Sequence, residues 1–314
     1  MTNKTIITIL FCVEKGLLEQ QAILLIESIK RLSNSNQYRL IAFSPRRNYQ
    51  PSKETVDYLK INQVLHLTNN INQDYLDYPI ANKVLSSAYV EQHIHTEGSI
   101  LFVDTDTIFI NDIESKYIEN DGQIYIRPVD NKGPGSEGVE DINDPFWQNI
   151  FKLFKLKPPS TKILTTVRRE SIRNYYNAGF IWSHKVNGFF TQWLKDFETI
   201  IESGLRPFGY QSRENTNFRC LDQVALSVTT SRYRAKTKIL SPAYNYPLPF
   251  KPLLDLNSQK IGLENMVHAH YHKWFQHPGF IEHIFKNYEK KSNTYAWLAN
   301  RLPIRPEISD AFKY

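Results

Sequence analysis

Short apolar runs alternate along the chain with longer stretches in which apolar residues recur every third or fourth position. The β-branched run Ile6 to Val13 predicts a first strand, and "LLEQQAILLIESIKRLS" predicts a helix that ends in basic residues and Ser. "YRLIAFSP" reads as a strand stopped by Pro45, "VDYLK" as a short helix and "QVLHLT" as another strand. "YPIANKVLSSAYVEQHI" predicts a helix leading into "SILFVDTDTIFI", whose core is apolar without alternation, as in a strand buried on both faces. This β-α rhythm predicts an α/β fold with a mixed, mainly parallel sheet flanked by helices.

Further on, "QIYIRPV" predicts a strand, and "DNKGPGSEG" is a Gly- and Pro-rich loop, read as a lid. "DPFWQNIFKLFKL" predicts a helix started by Asp144 and Pro145, and "NYYNAGFIWSHK" a strand entered through Asn177 and Gly179. "FFTQWLKDFETIIESG" and "LDQVALSVTTSRY" predict helices, "SPAYNYPLPF" an extended segment and "MVHAHYHKWF" a strand. A helical tail closes the chain, giving a main domain over 1–277 and a C-terminal helical extension over 278–314 packed on it.

Composition narrows the chemistry. With 314 residues the chain can bury a core without staples, and two cysteines give neither a disulfide framework nor a cysteine metal site. A cytoplasmic setting fits. The net charge of +6 mildly favours phosphorylated ligands, and no run of like charge points to nucleic acid. No stretch approaches transmembrane length, and the opening apolar run is too short for a signal sequence.

Asp104 and Asp106 are the strongest chemical signal. In an extended chain, residues two apart share a side, so both carboxylates reach one point. Two adjacent anions repel, and a divalent cation such as Mn²⁺ or Mg²⁺, completed by phosphate oxygens and water, resolves the cost. An Asp-x-Asp can also simply mark a turn. Here flanking apolar runs make unpartnered carboxylates costly.

"NKVLSSAY", "LFVDTDTIFI", "NAGFIWSH", "LDQVALSV", "YNYP" and "HAHYHKWF" occur in one order. That series resembles the retaining GT-A glycosyltransferases of family eight, the glycogenin and bacterial galactosyltransferase type. The resemblance implies a Rossmann-like GT-A fold and a nucleotide-sugar donor, with a UDP-sugar favoured. It also implies Mn²⁺ or Mg²⁺ held by Asp106 and a later histidine, with Asp104 reaching the ribose or the metal. Of the alternating His268, His270 and His272, His268 is preferred as ligand and His270 is the alternative; Lys273 would contact the diphosphate. A separate zinc site on the three histidines is a further option. The closing segment departs from the family in lacking a Gly and a Pro.

The resemblance places Asn177, Ala178 and Gly179 at the donor sugar or acceptor. It gives Asp222 to the sugar hydroxyls, Gln223 to the face beneath the anomeric carbon, and Lys83 to the donor. As residues alone, Asn177 and Gly179 make a bend, Asp222 an N-cap and Lys83 a solvated helix lysine. Phe11, Val13 and Glu14 close the first strand, where a nucleotide's base and ribose would lie. The resemblance implies transfer with retention, and because no carboxylate is placed as nucleophile, front-face attack by the acceptor is expected.

Two other readings compete. "LFVDTDTIFI" also resembles the first motif of haloacid-dehalogenase-type phosphatases, with Asp104 and Asp106 as nucleophile and acid, but no later acidic motif completes it. The third is a non-catalytic nucleotide-sugar-binding relative. The acceptor, whether glycan, lipid or protein, would meet segments 131–138 and 204–219. The basic aromatic tail, with Ile281, Phe285, Tyr288 and Trp297, either packs on the domain or makes peripheral contact with the inner membrane face.

Overall fold

The computed structural model describes residues 6–209 and 220–304. In chain order the first elements are β1 (Ile7–Cys12), α1 (Leu17–Lys30), β2 (Tyr38–Phe43), α2 (Lys53–Ile61), β3 (Leu65–Leu67), α3 (Ala81–His93), β4 (Ser99–Val103), β5 (Thr107–Phe109), α4 (Ser115–Ile118) and β6 (Gln123–Pro128). There follow α5 (Asp144–Leu153), β7 (Lys162–Leu164), β8 (Ser171–Arg173), β9 (Tyr176–His184), α6 (Phe189–Glu202) and α7 (Leu221–Arg232). The chain closes with β10 (Thr237–Ile239), β11 (Tyr246–Pro247), α8 (Leu256–Gln259), β12 (His268–His270), α9 (Phe280–Ile284) and α10 (Asn293–Arg301).

A seven-stranded sheet has the order β10-β6-β9-β4-β1-β2-β3. The pairs β1·β2, β2·β3 and β10·β6 are parallel, while β6·β9 is antiparallel, so the expected mixed, mainly parallel sheet is present. The parallel strands bury both faces: Ile7, Ile9, Leu10 and Phe11 of β1 and Ile41, Ala42 and Phe43 of β2 have no exposed surface.

The chain divides into two compact units. The first comprises the described parts of Met1–Asn70, Val103–Glu114 and Pro242–Tyr314; the second comprises Ile71–Phe102 and Ser115–Ser241 with the same restriction. In the first unit, α1 packs on β5, and Ser28 Oγ accepts a hydrogen bond from Phe109 N. A separate three-stranded sheet, β11-β12-β5, also belongs to this unit. In the second, α3, α6 and α7 pack together, with Trp193, Phe197, Val224 and Val228 fully buried.

Three local expectations change. "SILFVDTDTIFI" is not one strand: it breaks after Val103 and resumes at Thr107 in the other sheet. Only His268–His270 of "MVHAHYHKWF" is strand, because His272 adopts a left-handed backbone (φ 52°). The extended Pro-rich segment turns into a 3₁₀ helix over Leu248–Leu253.

The loop read as a lid is pinned throughout. Lys132 N donates to Glu170, Trp147 Nε1 donates to Pro134 O, Ser136 Oγ donates to Asp144, and Lys132 pairs with Asp141 at 2.8 Å. In the tail, Ile281 and Phe285 are buried, and Trp297 lies under the guanidinium of Arg31, the C-cap of α1. Tyr288 is exposed. Among the described residues, no helix is long and apolar enough to cross a membrane.

Candidate active site

In the first unit the Asp104–Asp106 segment forms a turn between β4 and β5, not part of a continuous strand. Thr107 Oγ1 donates to Asp104 O, and Tyr271 N donates to Asp106 O at 3.0 Å. The Tyr271 hydroxyl lies 3.4 Å from Thr105 O. This tyrosine is fully buried, which raises its phenol well above its ordinary pKa, so it stays a neutral donor that fastens the turn to the end of β12.

His270 Nε2 lies 3.1 Å from Asp106 Oδ1, and His272 Nδ1 lies 4.0 Å from Oδ2. The two imidazole centroids are 4.0 Å apart, and one ligand atom from each of Asp106, His270 and His272 lies within 4.8 Å of the others. A single cation can bridge a set this tight.

His268, the histidine preferred as ligand from sequence, stands outside this group. Its ring is fully buried edge-on against Phe109, with centroids 4.7 Å apart, and burial pushes its pKa well below the ordinary value. Strand alternation put all three histidines on one face, but β12 ends at His270 and the left-handed turn swings His272 back toward it. His270, the alternative, and His272, offered as a ligand from sequence only in the three-histidine zinc option, form the group with Asp106. Asp104 is half-buried and outside this three-residue set. Lys273 is exposed beside it, before the 3₁₀ turn Trp274–Gln276.

At the end of β1, Phe11 and Val13 are fully buried, so only their backbone can meet a ligand. Glu14 is also buried, and both carboxylate oxygens accept from Arg46: Nε lies 2.9 Å from Oε1 and 3.2 Å from Oε2. The Arg46 guanidinium in turn covers the Tyr49 ring at 3.8 Å. A base-binding role for the Glu14 side chain therefore competes with a buried ion pair. Sequence reading missed Arg46 and Tyr49, though an Arg at the close of β2 opposite a Glu at the close of β1 is the signal.

In the second unit, Lys83 on α3 points its Nζ to Ala178 O at 3.4 Å and lies 5.7 Å from the Phe102 ring. Lys83 and the Asn177–Gly179 entry are thus brought together. Asn177 Oδ1 accepts from Gly179 N at 2.7 Å, and the β6·β9 register shifts between Tyr125 and Arg127, opposite this stretch. That irregularity re-aims the backbone where the Asn-Ala-Gly sequence lies.

Asp222 is buried in the first turn of α7. The cap position belongs to Cys220 in a left-handed conformation (φ 65°), so Asp222 is not the N-cap that the residue alone suggested. Trp193 Nε1 donates to Asp222 O at 2.9 Å, and the Tyr78 hydroxyl lies 3.3 Å from Oδ1. Burial first, and then the nearby carboxylate, hold the Tyr78 phenol well above its ordinary pKa. Gln223 follows, half-buried. Tyr78 and Trp193 were missed, since neither lies near Asp222 in sequence. Of the proposed acceptor segments, 204–209 is described, with Phe208 N donating to Asn143 Oδ1; residues 210–219 lie outside the described residues.

The comparisons agree with this architecture. The structure is similar to galactosyltransferase LgtC solved with donor and acceptor sugar analogs, at TM-score 0.51 and 11% identity over 96% of this chain and 98% of that one. An LgtC active-site mutant gives TM-score 0.54 at the same identity and coverage. The bifunctional glycosyltransferase WbbM gives 0.55 at 11% identity, over 96% of this chain and 52% of that one. These likenesses carry the fold, which is GT-A. No curated protein matches the chain in sequence. The model of the Rhodobacterales glycosyltransferase domain matches residues 9–234, well over half of the sequence, and the chain belongs to that family of glycosyltransferases.

Proposed function

We propose that this glycosyltransferase takes its sugar from a nucleoside diphosphate sugar, a UDP-sugar favoured, and transfers it with retention of anomeric configuration in a cation-dependent reaction. The observation that carries the reading is the Asp106–His270–His272 group, three ligand atoms within 4.8 Å of one another on two segments fastened by Tyr271. One carboxylate oxygen and two imidazole nitrogens suit Mn²⁺ better than Mg²⁺, which prefers oxygen alone. A cation bound there would supply positive charge against a departing diphosphate.

The chain's own residues take the remaining roles. Lys273, exposed next to the group, adds a cation that a diphosphate can meet. Asp104 is assigned to the ribose or the same metal. Asp222, its backbone carbonyl held by Trp193, is assigned to the sugar hydroxyls, Gln223 to the face beneath the anomeric carbon, Lys83, near Ala178 O, to the donor, and Asn177, Ala178 and Gly179 to the donor sugar or acceptor. An amide is a poor nucleophile, which favours front-face attack by the acceptor. LgtC, solved with donor and acceptor sugar analogs, supports a sugar donor and a sugar acceptor here. A cytoplasmic setting, where sugar nucleotides are made, suits this reading. Peripheral contact with the inner membrane face would rest on exposed Tyr288, Lys286 and Lys291, because Ile281 and Phe285 are buried. The comparisons give the phosphatase reading no support.

A thermal-shift panel of UDP, GDP and their sugars, with and without Mn²⁺, tests the proposal on the wild type and Asp106→Ala. Stabilisation by one nucleotide only with metal, lost in the variant, is the expected result. Metal-independent stabilisation, or none by any nucleotide, would overturn it.

A further inference from the structure

We infer that Glu289, in the C-terminal segment, is a positioning residue for the Asp106–His270–His272 group, an inference that rests on the metal reading above for its chemical consequence. Glu289 has no exposed side-chain surface, yet it carries a carboxylate. Four hydrogen bonds converge on it: Lys251 Nζ donates to Oε1 and Oε2 at 3.1 and 3.3 Å, Leu263 N to Oε1 at 3.2 Å and Lys286 N to Oε2 at 2.9 Å. A buried carboxylate satisfied by two backbone amides and a buried ammonium fixes three chain segments at one point.

Two of those segments flank the histidine strand. Lys251 belongs to the 3₁₀ helix that follows β11, the parallel neighbour of β12. The preceding residue, Phe250, places its ring 5.9 Å from that of His272. Leu263 opens the turn that leads into β12, and Asn111 grips the same turn from the other side, with Nδ2 donating to Leu263 O at 3.0 Å and Met266 O at 2.7 Å. Asn111 itself lies just past β5, the strand that leaves Asp106. Glu289 and Asn111 therefore hold the approach to His270 and His272 in register with the aspartate turn, the kind of supporting contact that sets ligand geometry.

The pair is sensitive to its own chemistry. Removing the carboxylate leaves Lys251 buried without its counter-ion and two backbone donors without an acceptor, a loss large enough to shift the segment. The C-terminal segment thus serves as a brace for the metal group, and its cost of removal is read as metal affinity as well as stability.

The test uses the full chain carrying Glu289→Gln or Lys251→Met, each checked for folding by circular dichroism. Mn²⁺ affinity is measured by electron paramagnetic resonance well below each melting temperature. Amide hydrogen exchange is followed over 263–272 and, as control, over β1. The expected result is Mn²⁺ binding weakened by about tenfold or more, faster exchange at residues 269–271 and unchanged exchange in β1. Folded variants with wild-type Mn²⁺ affinity and wild-type exchange at 269–271 would overturn the inference. If the wild type binds no Mn²⁺, the metal reading fails, and exchange at 269–271 alone decides whether Glu289 positions the histidines. If the single variants do not fold, Lys251→Met combined with Glu289→Leu, which removes both charges, is measured in the same way.

Discussion

His270 Nε2 lies 3.1 Å from Asp106 Oδ1. Asp106 leaves a turn between two sheets and His270 ends a strand far along the chain, yet Tyr271 N donating to Asp106 O joins the two segments directly. The pairing makes the carboxylate and imidazole available to one ligand, with His272 as the third member.

The histidines should separate cleanly on mutation. His272→Ala is expected to weaken Mn²⁺ binding by roughly ten- to a hundredfold while leaving the melting temperature near that of the wild type. His268→Ala should do the reverse, costing about 2–4 kcal/mol through the cavity left against Phe109, with metal affinity retained. Calorimetric Mn²⁺ titration and thermal melts of the two variants check this; metal loss in His268→Ala would restore His268 as ligand.

Asp222 should matter for turnover more than for stability. Asp222→Asn keeps the shape and is expected to lower kcat/KM by roughly a hundredfold, about 2.7 kcal/mol. Tyr78→Phe, which removes only the hydroxyl 3.3 Å from Oδ1, should lower it by about threefold to tenfold. Steady-state kinetics with the sugar nucleotide that the thermal-shift panel selects provide the comparison, and equal losses in both variants would contradict the separate roles.

Glu14, just past the first strand, is buried in an ion pair with Arg46. Glu14→Ala strands the buried Arg46 guanidinium and is expected to destabilise by about 3–5 kcal/mol. Glu14→Ala with Arg46→Met should recover most of that loss. Urea melts of the single and double variants measure the coupling, and equal destabilisation in both would contradict the ion-pair account.

His184 gives the fold a pH dependence. Its side chain is fully buried, with Nδ1 2.9 Å from Ser99 Oγ and Nε2 2.9 Å from Ile118 O. Burial is the largest influence and lowers its pKa, with Ile118 O and Asp121 opposing. Between the depressed folded value and the unfolded value near 6.5, the unfolded state binds more protons, so stability falls as pH drops below about 6.5. In His184→Gln this decline should be shallower, as urea midpoints between pH 7.5 and pH 5 would reveal; an unchanged slope would remove His184 as its source.

Much of the fold was legible because long periodic segments bury one face. The helices at Leu17–Lys30 and Phe189–Glu202 follow directly from apolar spacing, and the run into Val103 from its unbroken apolar core. What escaped lies where backbone conformation departs from the local pattern. His272 at φ 52° and the turn at Asp104–Asp106 interrupt patterns that read as unbroken strand, and both carry site residues. Partners distant in sequence, such as Tyr78 for Asp222, Arg46 for Glu14 and Glu289 for Lys251, leave no periodic trace. The Asp-x-Asp and Asp-Gln sequences were visible as chemistry, but which histidine joins the aspartate depended on a single left-handed residue.

The most direct test of the central claim is nucleoside diphosphate release from a panel of sugar nucleotides by the wild type, first with EDTA and then after Mn²⁺ add-back, with Asp106→Ala in parallel. Release or transfer from one donor, absent in EDTA, restored by Mn²⁺ and abolished in Asp106→Ala, is the expected result. Turnover that persists in EDTA, or survives in Asp106→Ala, would contradict a reaction that depends on a cation at Asp106, His270 and His272.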